Sequence, residues 1–270
     1  EVIIADDGSD NTTFKLIKKY TKSLKTHLIH SWQEDDGCRI THSRNRAIAK
    51  SNYEYIIIDG GSSDSTLSIV QKYDCVDILI SEPDMGIYDG MNKGIKMASG
   101  RFIGFLNSDD LFASQDVTLE LLKKIKTMDT DIVYGDIRYF ENNIEEITRI
   151  WSSGEYKKGS FNRGWHPPHP AFYASKNLFL ESGKFDLDLK IAADFELMLR
   201  FFNCTKKNPV YINKDFVLMR EGGASHSNRL QGNKDVLNAF KKNNIKINKL
   251  VYLWRRLSSK FIYRYIKYPL

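Results

Sequence analysis

The chain has 270 residues, of which 41% are hydrophobic and 12% aromatic, so it can bury a substantial core and is not wholly disordered. The net charge of +6 is uneven: residues 229–270 hold eleven Lys or Arg and one acid, Asp235, which leaves an acidic body. Three widely spaced cysteines, with no secretory signal and no apolar run long enough to span a membrane, lead us to expect a cytoplasmic protein.

Apolar runs and amphipathic segments alternate along most of the chain. Short apolar runs predict strands at residues 2–5, 27–32, 55–59, 77–81, 102–106 and 131–134. Amphipathic patterns predict helices at about 12–23, 41–51, 65–73, 88–98, 115–127 and 193–202, followed by one or two basic helices at the C-terminal side. The alternation predicts an α/β fold with a mostly parallel sheet and flanking helices.

One strand-turn-helix signature occurs twice. Asp6 in IIADDGS and Asp59 in IIIDGGS hold the same place in two copies that align without a gap. Each copy puts a carboxylate and free backbone N–H groups at the carboxyl end of a strand, where α/β sheets bind nucleotides. The sequence therefore divides into a partial block at 1–54, a main domain at 55–228 and a basic, aromatic-rich tail at 229–270.

Four motifs follow one another in the main domain: DGGS at 59–62, SEPD at 81–84, GIYDGMNKG at 86–94 and LNSDD at 106–110. Through them the segment 55–202 resembles family-2 glycosyltransferases of the GT-A fold, particularly bacterial enzymes of polysaccharide and colanic-acid-type assembly. The resemblance implies metal-dependent transfer of a sugar, with inversion, from a nucleotide-diphosphate sugar. The implied acceptor is a saccharide or a polyprenyl-linked saccharide in bacterial surface polysaccharide synthesis.

The resemblance assigns five residues to the donor: Asp59, Asp84, Tyr88, Lys93 and Asp109. Asp59 is expected at the base or ribose, where an acceptor-only carboxylate is useful, and Asp109 near the ribose and diphosphate. Lys93 is expected to pair with phosphate. An Asx-type turn is the alternative for Asp59, and a solvated or packed helix face for Asp84, Tyr88 and Lys93.

The same resemblance makes Asp110 the main ligand of Mg or Mn, which would neutralise the leaving diphosphate. The family's common Asp-x-Asp form is absent, because Asn107 holds its first position. A helix cap is the alternative role for Asp110.

On the acceptor side, Asp194 matches the catalytic base that an inverting transfer requires. Its alternative is a surface residue that the helix dipole favours. His169, Glu196 and Trp165 are expected near the acceptor or diphosphate, with packing in a loop as the other interpretation of Trp165.

Residues 1–54 resemble a fragment of a second, different family-2 glycosyltransferase, while the domain at 55–228 lacks the usual first strand and helix of the fold. Two hypotheses stay open. Either the chain joins fragments of two transferases near residues 55–60, or the first block replaces the lost strand and helix. In both cases we expect only the Asp59 copy of the signature to form a donor site.

The segment 251–267 mixes cations with aromatic residues, which suits contact with the inner face of the plasma membrane or packing on the domain. No nucleic-acid-binding motif accompanies the charge. Two rival functions remain: a sugar nucleotidyltransferase, and an inactive fusion remnant that binds a nucleotide-sugar or a partner.

Overall fold

A computed structural model describes residues 2–6, 54–73, 76–114, 116–222, 228–249 and 252. Nine strands of this part form one sheet: β1 Val2–Asp6, β2 Glu54–Asp59, β3 Ile78–Ser81, β4 Phe102–Asn107, β5 Leu111–Phe112, β6 Ile132–Phe140, β7 Ile147–Trp151, β8 Phe172–Ser175 and β9 Val210–Arg220. The α-helices described are α1 Thr66–Val70, α2 Ile87–Met97, α3 Val117–Thr127, α4 Lys176–Ser182, α5 Ala193–Cys204 and α6 Arg229–Lys242. Short 3₁₀ turns lie at Phe161–Arg163 and His169–Ala171.

The sheet is mixed in direction. Its order is β3-β2-β1-β4-β8-β6-β9-β5, with β7 paired to β6. The run β3-β2-β1-β4 is parallel, and so is the pair β6-β9, whereas β8 is antiparallel to both β4 and β6. The predicted α/β fold is confirmed, but the expected mostly parallel pairing is limited mainly to one half of the sheet.

Strand β1 occupies a central position between β2 and β4 and is parallel to both. Ile4 is level with Ile56 on one side and with Phe105 on the other. A strand of the first block thus completes this half of the sheet, and whether the block replaces the lost strand and helix stays a hypothesis. The other elements predicted in that block, at 12–23, 27–32 and 41–51, lie outside the described residues, and the division at 54/55 stays a prediction.

Strand β6 extends well beyond the predicted 131–134 and includes Gly135 and Asp136, two residue types that are depleted in strands. A Cβ on Gly135 would lie 2.7 Å from the Phe216 ring, so a glycine lets β9 pack closely. The buried Asp136 carboxylate accepts hydrogen bonds from the Ser153 N–H and the Tyr211 hydroxyl. Tertiary pairing and these hydrogen bonds therefore carry the strand past its predicted end.

The core lies on both faces of the sheet. Alternate residues of β2 point to opposite faces, so Ile56 and Ile58 join one cluster while Tyr55 and Ile57 join the other. The first cluster includes residues of α2, α5 and α6, and the second includes α3. Helix α6 meets α5 through the rings of Phe240 and Phe195, whose centroids are 5.5 Å apart.

Polar contacts also attach α6 to the domain. The Lys242 ammonium pairs with Asp186 and Asp188, and the amide of Asn243 donates to Glu196 over 3.0 Å. The first helix of the basic tail is thus an integral part of the domain. Apart from Tyr252, which is buried, the predicted membrane-contact segment 251–267 lies outside the described residues. No helix in the described part is long and apolar enough to cross a membrane.

Candidate active site

Acidic residues meet at one edge of the sheet, where the parallel strands β1, β2 and β4 end side by side. Asp59 is the last residue of β2, and the segment 107–110 follows from the end of β4. Asp6, the last residue of β1, is level with Ile58 and Asn107. The strands of both copies of the repeated signature therefore end at this edge, and the prediction that only the Asp59 copy forms a donor site stays a prediction.

The Asp59 carboxylate is fully buried and turned onto its own loop. Its oxygens accept hydrogen bonds from the backbone N–H groups of Gly61 and Ser62 and from the hydroxyls of Ser62 and Ser81. Burial acts to raise the pKa of Asp59, but these hydrogen bonds outweigh it and hold the pKa below its ordinary value. The geometry matches the Asx-type turn, and a contact with the donor base or ribose stays a prediction.

The Asp84 carboxylate lies between the turn after β2 and the first turns of α2, where Gly60 and Gly90 leave room for it. A Cβ on Gly60 would lie 3.0 Å from Asp84 Oδ2, and one on Gly90 would lie 3.2 Å from the same oxygen. Asp84 Oδ1 accepts from the Gly86 N–H over 2.8 Å, where Gly86 has a φ of 115° that favours glycine. No role in the site was predicted for Gly60 from the sequence, and the structure shows that the absence of a side chain there makes room for this carboxylate.

The Lys93 side chain, on α2, lies against Asp89 of the same helix and Glu82 of the preceding loop. Its ammonium donates to the Pro83 carbonyl over 2.9 Å and lies 3.0 Å from Glu82 Oε1 and 3.8 Å from Asp89 Oδ2. Burial acts to lower the pKa of Lys93, but the neighbouring carboxylates of Glu82 and Asp89 raise it by more. The pKa of Lys93 therefore lies above its ordinary value. The cation is therefore next to the SEPD motif, and its contact with a phosphate stays a prediction.

The two aspartates after β4 differ in exposure. Asp110 is fully buried, and its oxygens accept from the Asn107 amide over 3.0 Å and from the Arg220 N–H over 3.3 Å. Asp109 is only partly buried. These hydrogen bonds with the protein interior favour a structural role for Asp110. The alternative considered from the sequence, a helix cap, is a structural role of a different kind.

The oxygen donors of this segment nevertheless suit a hard divalent cation. Two adjacent carboxylates and an amide carbonyl are ligands that Mg²⁺ and Mn²⁺ accept. Among the described residues, no group of three or more His, Cys, Asp or Glu side chains is placed to hold a metal by itself. A cation at Asp109 and Asp110 would therefore need further ligands from phosphate oxygens and water, as Mg²⁺ commonly does.

Tyr88 and Asp194, which lie far apart in sequence, are in direct contact. The Tyr88 hydroxyl is 3.1 Å from Asp194 Oδ1 and 2.9 Å from the Ile191 carbonyl oxygen. Asp194 lies in the first turn of α5, where the helix dipole favours a carboxylate, and is partly exposed. Burial and the Asp194 charge together raise the pKa of Tyr88 well above its ordinary value, so this phenol stays protonated.

His169 lies on the buried side of the same cluster. Its ring stacks on Phe105 at 5.3 Å and meets the edge of Phe185 at 5.6 Å. Burial lowers the pKa of His169, against an opposing effect of Asp194, and within the described residues Nε2 has no hydrogen-bond partner. The imidazole is therefore a buried neutral group close to Asp194, and its contact with the acceptor or diphosphate stays a prediction.

Two buried polar residues outside the predicted site hold the segments around Asp194. The Asn92 side chain donates to the Phe185 carbonyl and accepts from the Phe185 N–H, both over 2.9 Å. Asp235 of α6 accepts from the Ile191 N–H over 2.7 Å and from the Ala192 N–H over 3.4 Å. The signal for Asp235 was present in the sequence, since it is the one acid in the basic tail.

Glu196 and Trp165 lie in packed surroundings. Glu196 is buried in a two-point ion pair with Arg200, with N–O distances of 2.8 and 2.9 Å, and also accepts from Asn243. The Trp165 indole donates to the Ser153 carbonyl and packs among aromatic rings, including those of Tyr134 and Phe202. These contacts favour structural roles for both, and their predicted acceptor contacts gain no support from the geometry.

The structure has the GT-A fold of the solved structures that it resembles. The model of the family "Glycosyl transferase family 2" matches residues 39–175, about half of the chain. The chain therefore belongs to glycosyl transferase family 2. The match begins inside the first block and runs through the strand at 55–59, so it does not follow the predicted boundary at 54/55.

Two relatives illustrate the sequence similarity. The chain is 28% identical over 168 residues to a PGL/p-HBAD biosynthesis glycosyltransferase of Mycobacterium bovis, covering 60% of this chain and 62% of the relative. It is 30% identical over 95 residues to the Escherichia coli UDP-Glc:alpha-D-GlcNAc-diphosphoundecaprenol beta-1,3-glucosyltransferase WfgD, covering 34% of this chain and 37% of that protein. The chain thus matches less than two thirds of the length of these relatives.

Two solved structures share the fold. S. aureus TarS 1-349 in complex with UDP-GlcNAc superposes with a TM-score of 0.60 at 14% identity, over 95% of this chain and 72% of TarS. Glucosyl-3-phosphoglycerate synthase from Mycobacterium tuberculosis, in complex with Mn²⁺, UDP and glucosyl-3-phosphoglycerate, superposes with a TM-score of 0.55 at 12% identity. That superposition covers 91% of this chain and 80% of the synthase. At these identities the similarity establishes the fold.

Proposed function

We propose that the protein transfers a sugar, with inversion and with help from a divalent cation, from a nucleotide-diphosphate sugar to a saccharide acceptor. One observation carries the proposal: the hydrogen bond between Tyr88 and Asp194. Tyr88 belongs to the motif that is predicted to face the donor, and Asp194 is the predicted base, so this hydrogen bond connects the two parts of the site. Family membership and the acidic edge of the sheet support the same chemistry.

The donor would lie along the carboxyl ends of β1, β2 and β4. Asp59 and Asp84 shape this edge, and Asp109 and Asp110 are the residues that would hold Mg²⁺ or Mn²⁺. When bound, the cation neutralises charge on the leaving diphosphate. The Mn²⁺ and UDP in the mycobacterial synthase support this choice of cofactor and donor class.

The base acts on the acceptor. An acceptor hydroxyl oxygen forms the new bond to the anomeric carbon, the bond to the diphosphate oxygen breaks, and the hydroxyl proton passes to Asp194. Asp194 Oδ2 receives no hydrogen bond from the described residues, while Oδ1 is held by Tyr88. One oxygen of the carboxylate is therefore left for the acceptor.

A lipid-linked acceptor at a membrane surface fits this activity. The name of WfgD specifies a diphosphoundecaprenol-linked acceptor, and the basic, aromatic segment 251–267 suits an anionic lipid surface. We therefore propose a cytoplasmic enzyme that binds the inner face of the plasma membrane peripherally and acts in bacterial surface polysaccharide assembly of the colanic-acid type.

The test is release of nucleoside diphosphate from a panel of donors, including UDP-glucose, UDP-GlcNAc and GDP-mannose, with Mn²⁺ or Mg²⁺ and a lipid-linked saccharide. We expect release that depends on the cation and on the acceptor, and its loss on chelation. Asp194→Asn should abolish transfer and spare donor binding measured by calorimetry.

Other outcomes identify the rival functions. Pyrophosphate as the product would indicate a nucleotidyltransferase, and donor binding without release by the wild type would indicate a binding remnant. The central position of β1 between β2 and β4 disfavours the remnant, because it leaves no unpaired gap in that half of the sheet.

A further inference from the structure

We propose that Tyr88 is a positioning residue that holds Asp194 for proton transfer and supports it in both of its protonation states. The inference rests on the proposed function, because it gives Asp194 the role of base. It assigns Tyr88 to the acceptor side of the reaction, whereas the sequence predicted a contact with the donor nucleotide.

The Tyr88 hydroxyl lies within reach of two hydrogen-bond acceptors. A phenol has one proton, and Asp194 Oδ1 and the Ile191 carbonyl oxygen are both within hydrogen-bond distance, at 3.1 and 2.9 Å. The ring itself is fixed, since it stacks on Phe185 with centroids 5.4 Å apart. The hydroxyl can therefore change partner by rotation about the C–O bond without movement of the side chain.

The hydrogen bonds of Tyr88 can be assigned for each protonation state of Asp194. While Asp194 is ionised, the Tyr88 O–H donates to Oδ1 and stabilises the carboxylate. After the acceptor hydroxyl proton reaches Oδ2, the Tyr88 O–H donates either to Oδ1, which is now the carbonyl oxygen of a neutral acid and a weaker acceptor, or to the Ile191 carbonyl. No proton is lost or gained by Tyr88, and its raised pKa is consistent with that.

Other titratable groups around Asp194 do not replace this hydroxyl. His169, on the 3₁₀ turn, is held by aromatic rings and interacts with Asp194 only through charge. Asp235 of α6 is bound to the backbone N–H groups of Ile191 and Ala192. Glu196, on the same helix as Asp194, is paired with Arg200. Among the described residues, Tyr88 alone donates a hydrogen bond to the Asp194 carboxylate.

The main experiment is Tyr88→Phe, which keeps the ring against Phe185 and removes the hydroxyl. Hydrogen bonds to an ionised group are about twice as strong as neutral ones, so the loss should disfavour the Asp194 anion. We expect kcat at neutral pH to fall about ten-fold or more, in the lower part of the range for general base catalysis. The acid limb of the kcat profile should shift to higher pH by about one unit. KM for the donor should stay within about two-fold of the wild type, since a base-side contact does not bind the donor.

A matched control is Tyr73→Phe, which removes a phenol hydroxyl in the core cluster on the opposite face of the sheet. Its pH profile should superpose on that of the wild type. A Tyr88→Phe profile with an unshifted acid limb would overturn the proposal, even if the thermal midpoint were lower, because a purely structural role predicts the second change without the first.

A titration that needs no turnover separates this proposal from the proposed function. With ¹³C at the aspartate carboxyl carbons, the Asp194 signal is the one missing from Asp194→Asn, and its pKa can be compared in the wild type and Tyr88→Phe. A higher Asp194 pKa in Tyr88→Phe supports the contact, and equal values contradict it, whether or not the chain transfers sugar with the donors tested.

Discussion

Replacing Asp235 should damage the region around Asp194 although Asp235 itself is distant from it in sequence. The Asp235 carboxylate is buried in α6 and accepts three hydrogen bonds, from the backbone N–H groups of Ile191 and Ala192 and from the Gln231 amide. Asp235→Ala removes all three acceptors. Asp235→Asn keeps one acceptor oxygen for the Ile191 N–H, and its amide can donate to a reoriented Gln231.

The two variants should differ clearly in stability. A buried N–H that loses its acceptor costs about 1–3 kcal/mol, and the Ile191 contact at 2.7 Å is much stronger than the Ala192 contact at 3.4 Å. We therefore expect about 3 kcal/mol of destabilisation for Asp235→Ala and about 1 kcal/mol for Asp235→Asn. For a chain of this size, 3 kcal/mol corresponds to a fall of roughly 6–12 °C in the thermal midpoint.

The assay combines thermal unfolding with transferase activity. Ile191 and Ala192 precede Asp194, and the Ile191 carbonyl accepts from Tyr88, so Asp235→Ala should also lower kcat more than it raises the donor KM. Equal midpoints for the Ala and Asn variants would contradict this prediction, since the two side chains differ mainly in the acceptor that faces the Ile191 N–H.

Three further changes test the sheet and its acidic edge. Gly104→Ala places a Cβ 2.2 Å from the Tyr173 ring, so we expect a loss of about 3 kcal/mol in unfolding free energy that Tyr173→Ala partly restores in the double variant. Asp59→Asn should cost about 2 kcal/mol at pH 7 by urea unfolding, because the charged acceptor of the Ser62 hydrogen bonds is lost. The pKa of Asp59 is lowered from 3.8, so this difference should be present above pH 3.8 and disappear as the pH falls through the folded-state pKa. Ile4→Pro removes a backbone donor from a central strand and should lower stability by about 3 kcal/mol or more, measured by thermal unfolding.

Each of these has an outcome that contradicts it. Additive effects of the Gly104 and Tyr173 substitutions would mean that the ring and the new methyl group do not collide. A constant stability difference for Asp59→Asn from pH 7 to pH 2 would show that the carboxylate charge is irrelevant. Ile4→Val keeps the N–H and is the control for Ile4→Pro, and equal stability of these two variants would place β1 outside the sheet.

Local patterns were sufficient for the elements on which the donor motifs lie. The apolar run at 55–59, the amphipathic helix at 88–98 and the strand at 102–106 appear at Glu54–Asp59, Ile87–Met97 and Phe102–Asn107. Their periodicity reflects burial on the sheet and on one helix face, and it is therefore readable without a structure. The same runs, with their acidic turns, indicated a GT-A fold and the edge at which carboxylates gather.

Contacts between distant segments were not readable in the same way. The sequence alone could not indicate that β1 fits between β2 and β4, or that the antiparallel strand β8 joins the two halves of the sheet, since pairing partners depend on the whole chain. Residues 107–110 indicated an acidic edge, but the orientation of Asp110 depends on a hydrogen bond from Arg220, which lies 110 positions away.

The family, the strand-helix alternation and the acidic residue types were already indicated by the sequence, because these depend on local periodicity and short motifs. Tertiary structure sets which of those acids are held by hydrogen-bond donors of the fold and which, such as Asp194, stay partly exposed. It placed Asp59 on its own turn, Glu196 in an ion pair with Arg200, and Tyr88 on Asp194. The role of a carboxylate depends on which hydrogen-bond donors reach its oxygens. For Asp194 that donor is Tyr88, on a helix 106 residues away in sequence, so local patterns cannot show it.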